Sequence, residues 1–162
     1  MTRLLTNRGV AASTVAAAIL VSTPLIMFFE GHREVGYRDI VGIATSCWGH
    51  TGPDAVVGRR YSRSECEGQL AADVNRHAAE IRPCIRVDVP VESYAAFTSF
   101  AFNVGTGAFC RSSLLRKLNA GDLAGACNGL MAWTYAGKPP KRIKGLVNRR
   151  VKERALCLKG AA

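Results

Sequence analysis

The stretch EGHREVGYRDIVGIATSCWGHT, residues 30–51, decides how the chain is read. It opens on Glu30, directly after the apolar run Leu25-Ile26-Met27-Phe28-Phe29, and turns at once into Gly31. A carboxyl at the end of an apolar helix loses part of its water, and desolvation favours the protonated form a general acid needs. Asp39 follows in a polar turn beside Tyr37 and Arg38, where it is expected to stay ionised. Thr45 follows in turn, with a hydroxyl suited to holding a water beside Asp39. Two carboxyls in such unlike surroundings suit acid-assisted cleavage of a glycosidic bond. By themselves, however, most Glu and Asp pairs are plain surface charges. Within and after the stretch, Ile40–Thr45 and Ser46–Trp48 are predicted as short strands and Gly52–Arg60 as a loop.

Downstream, the pattern changes to a helical period. Ser62-Arg63-Ser64-Glu65 is a capping box, so a helix should follow with Cys66, Leu70, Val74, His77 and Ile81 on one stripe, ending near Pro83. Further helices are predicted over Glu92–Phe102, over Ser112–Asn119, and over Leu123–Trp133 with Asp122 as its cap. Tyr135–Lys144 reads as a Gly/Pro/Lys loop and Gly145–Leu158 as a basic helix. There is no internal repeat and no low-complexity linker. The fold class is therefore α+β, with a small β-containing lobe followed by a larger helical one.

Taken together, Glu30-Gly31, Tyr37-Arg38-Asp39, Thr45 and Trp48-Gly49-His50-Thr51 resemble the catalytic signature of the phage T4-type lysozymes, a muramidase family of glycoside hydrolases. Their order is a Glu, an Asp nine residues on and a Thr six beyond that, as at positions 30, 39 and 45. Ser99-Phe100-Ala101-Phe102-Asn103-Val104-Gly105 is similar to the family's helix and turn along the cleft. Gly145-Leu146-Val147-Asn148-Arg149-Arg150 with Glu153 is similar to its C-terminal helix. The likeness runs over roughly residues 25–160. It implies a lysozyme-like fold, two lobes joined by a helix, acting on β-1,4 bonds between N-acetylmuramic acid and N-acetylglucosamine in peptidoglycan. Glu30 would protonate the glycosidic oxygen, Asp39 would orient the attacking water or stabilise the developing positive sugar, and Thr45 would position that water. The resemblance also implies that His50 is structural and pairs with Asp73. Asn103 is either a sugar contact or a turn residue before Gly105, with Gly105 and Gly107 serving the turn. His32 and His77 read as solvated or part-buried. Trp48, Trp133, Phe97, Phe100 and Phe102 read as core.

Upstream lies an uncharged run, Gly9 to Phe29, of 21 residues, ten of them Gly, Ala, Ser or Thr. As a helix it would measure about 31 Å, enough to span a bilayer. Three readings compete: a cleavable signal with Ala16-Ala17-Ala18 before the cut, a permanent anchor, and a weak anchor that later leaves the membrane. The Gly/Ala content fits the last best. Arg3 and Arg8 precede the run, whereas Arg33 and Arg38 behind it are balanced by Glu30, Glu34 and Asp39, so the N-terminus is expected in the cytoplasm. In this the chain resembles the signal-anchor-release endolysins of phages. The expectation is an anchor over residues 1–29 and a muramidase domain over 30–162. The chain would be held inactive at the host inner membrane through residues 9–29, then freed into the periplasm.

Composition bounds the rest. With 162 residues and 48% hydrophobic side chains, the chain is a folded protein of about one domain. Its net charge of +10 lies wholly in residues 82–162, which hold fourteen basic and four acidic side chains. Lys138–Arg154 alone would attract phosphate, so a nucleic-acid-binding protein is an alternative class. It has no aromatic stacker nearby beyond Tyr135, and nucleic acid is not the expected partner. A lytic transglycosylase, which needs the Glu but not the Asp and Thr, is a second alternative, and a wall-binding module without catalysis a third. The expected partner is peptidoglycan, acted on by a monomer. No cofactor or metal is implied. Cys47, Cys66, Cys84, Cys110, Cys127 and Cys157 contain no C-x-x-C and read as three disulfides in an oxidising compartment. Six cysteines allow fifteen connectivities. Analogy with the family's fold suggests 47–66, 84–110 and 127–157.

Overall fold

The computed structural model describes residues 9–162; Arg3 and Arg8, which carry the orientation reading, lie outside the described residues. The chain opens with helix α1, Ala12–Glu30, which is long and apolar enough to cross a membrane. Here it is packed on protein. Ala18, Ser22 and Ile26, one helical face at four-residue spacing, are buried, while Leu20 and Phe28 point outward. Two hydroxyls near the middle of this apolar helix are satisfied within it. Ser22 and Thr23 both donate to the Ile19 carbonyl, at 3.3 and 2.7 Å.

The small lobe is an antiparallel hairpin of β1, Arg33–Arg38, and β2, Ala44–Cys47, with Tyr37 opposite Thr45 and Arg38 opposite Ala44. The strand predicted over Ile40–Thr45 is mostly turn, and the first strand lies earlier. The cause is local. The Asp39 carboxylate accepts the N–H groups of both Val41 and Ile43 at 2.9 Å, and Gly42 sits at φ +86°. That capture of two backbone donors outweighs the β-propensity of Ile-Val-Gly-Ile and leaves Ile40 and Val41 in solvent.

Helix α2, Arg63–Ile81, starts at the capping box as read, with the Glu65 N–H donating to Ser62 Oγ at 3.2 Å and the Ser62 N–H to Glu65 Oε2 at 2.7 Å. Its buried stripe is Cys66, Leu70, Val74, Ala78 and Ile81. His77 stands to one side, because the residue eight on from Leu70 is 78. Helix α3, Val91–Val104, is the centre of the larger lobe and is buried without a break from Ser93 to Ala101. Gly105, at φ +89°, ends it. Gly107, read as a turn residue, belongs instead to a short helix α4, Thr106–Arg111, which the sequence reading omits. Helix α5, Ser113–Asn119, is capped by Ser112, and α6, Leu123–Gly129, by Asp122. A 3-10 turn, Leu130–Ala132, extends α6. The segment read as a loop over 135–144 holds a two-residue hairpin, β3 (Tyr135–Ala136) with β4 (Lys141–Arg142). Helix α7, Lys144–Gly160, closes the chain.

Two apolar clusters result. The larger surrounds α3, with Phe97, Phe100, Phe109, Leu114, Leu118 and Leu130 fully buried. The smaller, with Ile26, Trp48, Tyr61, Leu70 and Val74, joins the lobes. Helix α1 contributes to both, through Ala18 and Ile26 respectively. Three disulfides, Cys47–Cys66, Cys84–Cys110 and Cys127–Cys157, fasten β2 to α2, the turn after α2 to α4, and α6 to α7. These are the pairs that the family analogy suggests.

Candidate active site

Glu30 is the last residue of α1. Gly31, at φ +68°, ends the helix there, donating its N–H to the Met27 carbonyl at 3.3 Å. The chain then leaves along β1, and the carboxyl stands at the junction of the lobes with its side chain 22% exposed. One oxygen, Oε1, lies 2.6 Å from Arg149 Nη1 on α7. The other, Oε2, faces Gly49. A Cβ built on Gly49 would come within 3.2 Å of it, and the backbone there has φ +75°. Position 49 thus carries no side chain for two reasons, the turn and the close approach of Glu30. The sequence reading placed only apolar neighbours around Glu30, so the guanidinium is an addition to it.

Asp39 and Thr45 are tied to each other through one residue. The Asp39 N–H donates to the Ile43 carbonyl at 2.9 Å, and Thr45 Oγ1 donates to the same carbonyl at 3.0 Å. Ile43 in turn donates its N–H to Asp39 Oδ1. Asp39 is half-buried and Thr45 buried. The hairpin therefore presents a half-buried carboxylate at its turn and a fixed hydroxyl on its second strand.

This hairpin is anchored on α2 by more than the Cys47–Cys66 bridge. His50 Nδ1 lies 2.7 Å from Asp73 Oδ2, and Nε2 lies 2.8 Å from Asp54 Oδ1. Gln69 Nε2 donates to Asp54 Oδ2 at 2.8 Å, while its Oε1 accepts from Ser46 Oγ at 2.9 Å. Burial opposes protonation of His50, but the hydrogen bonds to Asp54 and Asp73 outweigh it and raise its pKa above the ordinary histidine value. The bond to His50, with that from Gln69, holds Asp54 down at about 2. The imidazole is thus a tie between the lobes. Asp54 and Gln69 are members of it that the sequence reading did not single out.

Asn103, at the end of α3, is exposed, and its Oδ1 accepts from Arg150 Nη2 at 2.8 Å. Glu30 and Asn103 are thereby held by consecutive arginines of α7. Both arginines turn inward onto Glu153, which is fully buried. Arg149 and Arg150 were visible only as part of a motif. The available signal is a Glu three and four residues after two consecutive arginines on one helix. Among the described residues no group of His, Cys, Asp and Glu has a metal-binding arrangement.

Comparison with known proteins places the chain among phage lysozymes. The family model for phage lysozyme matches residues 27–153. A SAR-endolysin of Enterobacteria phage PA-2 is 43% identical over 160 residues, covering 95% of this chain and 96% of that protein. A mutant of P22 lysozyme superposes with a TM-score of 0.72 at 30% identity, over 93% of this chain and 99% of that one. The active form of P1 phage endolysin Lyz shares the fold at a TM-score of 0.77 and 23% identity, over 96% of this chain and 98% of that chain.

Proposed function

The chain belongs to the phage lysozyme family, and from that membership we propose that it is a signal-anchor-release endolysin hydrolysing the β-1,4 bonds between N-acetylmuramic acid and N-acetylglucosamine. Glu30 carries the reading. Among the described residues it is the carboxyl at the junction of the lobes that a guanidinium positions from across the chain, and it heads the Glu, Asp and Thr signature.

Glu30 protonates the leaving glycosidic oxygen. Asp39, half-buried and fixed by two backbone donors, orients the attacking water or faces the positive charge developing on the sugar ring. Thr45 sits beside it as a buried hydroxyl and positions that water. Asn103 contacts the sugar from the helical side. His50 and Asp73 hold the hairpin rather than taking part in proton transfer. The basic surface of the second half of the chain serves the anionic wall and envelope. The protein works as a monomer with no cofactor.

The placement of Glu30 links activity to the membrane. It ends the same helix that is apolar enough to span a bilayer, so α1 cannot lie in lipid and complete the cleft at once. Tethered through residues 9–29, with the N-terminus in the cytoplasm and residues 30–162 outside it, the enzyme is inactive. Released into the periplasm, α1 docks as described and brings Glu30 to Arg149. Mass spectrometry of digested peptidoglycan tests the chemistry. Hydrolysis leaves a reducing muramic acid, whereas a 1,6-anhydro product would make the protein a lytic transglycosylase.

A further inference from the structure

The candidate catalytic carboxyl and the candidate sugar contact belong to different helices, yet one buried residue lies behind both. Glu153 is fully buried in α7. Its Oε1 accepts from Ser99 Oγ at 2.7 Å, from Arg149 Nε at 3.1 Å and from Arg150 Nη2 at 3.3 Å. Arg150 Nε adds a charge contact of 2.7 Å to Oε2. From this hub each arginine reaches outward: Arg149 Nη1 to Glu30 and Arg150 Nη2 to Asn103. Arg149 is further fixed by donating Nη2 to the Ser99 carbonyl at 3.1 Å, and Arg150 lies over the Phe100 ring.

We infer that Glu153 is the positioning residue of the site, setting Glu30 through Arg149 and Asn103 through Arg150. This inference rests on the muramidase reading above. Charge explains why a carboxylate is needed. Two guanidiniums buried side by side repel each other, and desolvation brings Arg150 down to about 10 even with Glu153 beside it. Burial pushes the Glu153 carboxyl up, while both guanidiniums and the Ser99 hydroxyl pull it back. Glu153 stands between the two guanidiniums, each arginine is also bonded outward, to Glu30 or to Asn103, and neither is free to swing. Without Glu153 nothing on α7 opposes the repulsion, and the outward arms lose their fixed end. Arg149 and Arg150 are held like levers on one pivot, so small errors at Glu153 reach both ends of the cleft.

The alternative for Glu153 is a purely steric filler of the core, and the two roles order a pair of variants oppositely. Glu153→Gln keeps the volume and removes the charge; Glu153→Asp keeps the charge and shortens the chain. Positioning by charge predicts that Glu153→Asp retains more activity on purified peptidoglycan than Glu153→Gln. The Gln variant should lose about 10-fold to 100-fold in kcat, the scale of a misplaced reacting group. It should also raise KM through Asn103. Glu153→Gln at least as active as Glu153→Asp overturns the proposal. If Glu153→Gln does not fold, Glu153→Asp decides, since it keeps the charge and gives up the volume. A kcat within about 10-fold of the parent supports the proposal, and a larger loss in a folded protein overturns it. If the parent releases no reducing sugar, the muramidase reading is what fails. The network is then tested by a crystal structure of Glu153→Asp, where Arg149 still on Glu30 supports the inference and Arg149 displaced from Glu30 overturns it.

Discussion

Glu30 and Arg149 stand 119 residues apart in sequence and 2.6 Å apart in space. The pair joins the last residue of the first helix to the middle of the last one. Around it, the Phe29 ring lies under the Arg149 guanidinium at 5.2 Å and the Phe28 ring under Lys152 at 5.1 Å. The final turn of α1 is therefore received by cations of α7, and the packing of this helix is what sets Glu30 beside Arg149.

Replacing Glu30 by Gln should remove acid assistance, a loss of about 10²-fold to 10⁴-fold in kcat. Folding should be little affected, because the amide can still accept from Arg149. A reducing-sugar assay beside a thermal melt checks both halves. Activity within a few-fold of the parent would move the acid elsewhere.

Arg149→Ala should damage fold and activity together. It leaves Glu153 with one guanidinium and Glu30 with none, and breaking a buried pair from one side costs about 3–5 kcal/mol. Denaturant unfolding with the disulfides intact measures this. Under 1 kcal/mol would show that the pair is solvated in solution.

The tie at His50 makes stability depend on pH. Its folded pKa is raised, so its contribution is full below the ordinary value of about 6.5 and is lost as pH rises through the higher folded value. Asp54, held at about 2, works in the opposite sense. Its contribution is present above the ordinary Asp range and fades only as pH falls toward that value. The parent should therefore lose thermal stability above about pH 6.5, and His50→Gln should be flatter over that range. Parallel curves for the two proteins would remove His50 from the account.

The Cys127–Cys157 bridge closes a loop with a sequence separation of 30. Chain entropy gives it about 3.5 kcal/mol of stability. A double Cys→Ser variant at these positions should show that loss in denaturant unfolding, while the distant hairpin bearing Asp39 keeps its structure. A loss below about 1 kcal/mol would mean native strain offsets the constraint.

Two sets of substitutions in α1 separate tethering from docking. Ala11, Ala12 and Ala16 are exposed in the docked helix, so Leu there should strengthen the anchor without disturbing the folded enzyme. Cells making this variant should lyse later than those with the parent, and equal timing would refute release as the control. Ala18 is fully buried. Ala18→Leu should overpack the docking face at about 1–3 kcal/mol, giving released but poorly active protein in periplasmic extracts.

Much of this is legible in the sequence. The box at Ser62–Glu65, the cap at Asp122, and the order of Glu30, Asp39 and Thr45 are local signals, each set by chemistry within a few residues. The turn at 39–43 was misjudged because Ile and Val advertise a strand, while one carboxylate captures two backbone donors. Arg149, Arg150 and Glu153 were seen as a motif without a role. Their partners, Glu30, Ser99 and Asn103, are distant in sequence, and no periodicity records such a meeting. Asp54 and Gln69 carry no signal at all outside the fold that brings them to His50.

Helix α1 shows Ala18, Ser22 and Ile26 to the protein and Leu20 and Val21 to the outside. Selection can therefore act on the two faces separately. Outward residues can drift toward greater or lesser grease and shift the moment of host death, while the inward face stays fixed by the enzyme. The timing of lysis and the power of lysis become independent heritable traits, written on opposite sides of 19 residues.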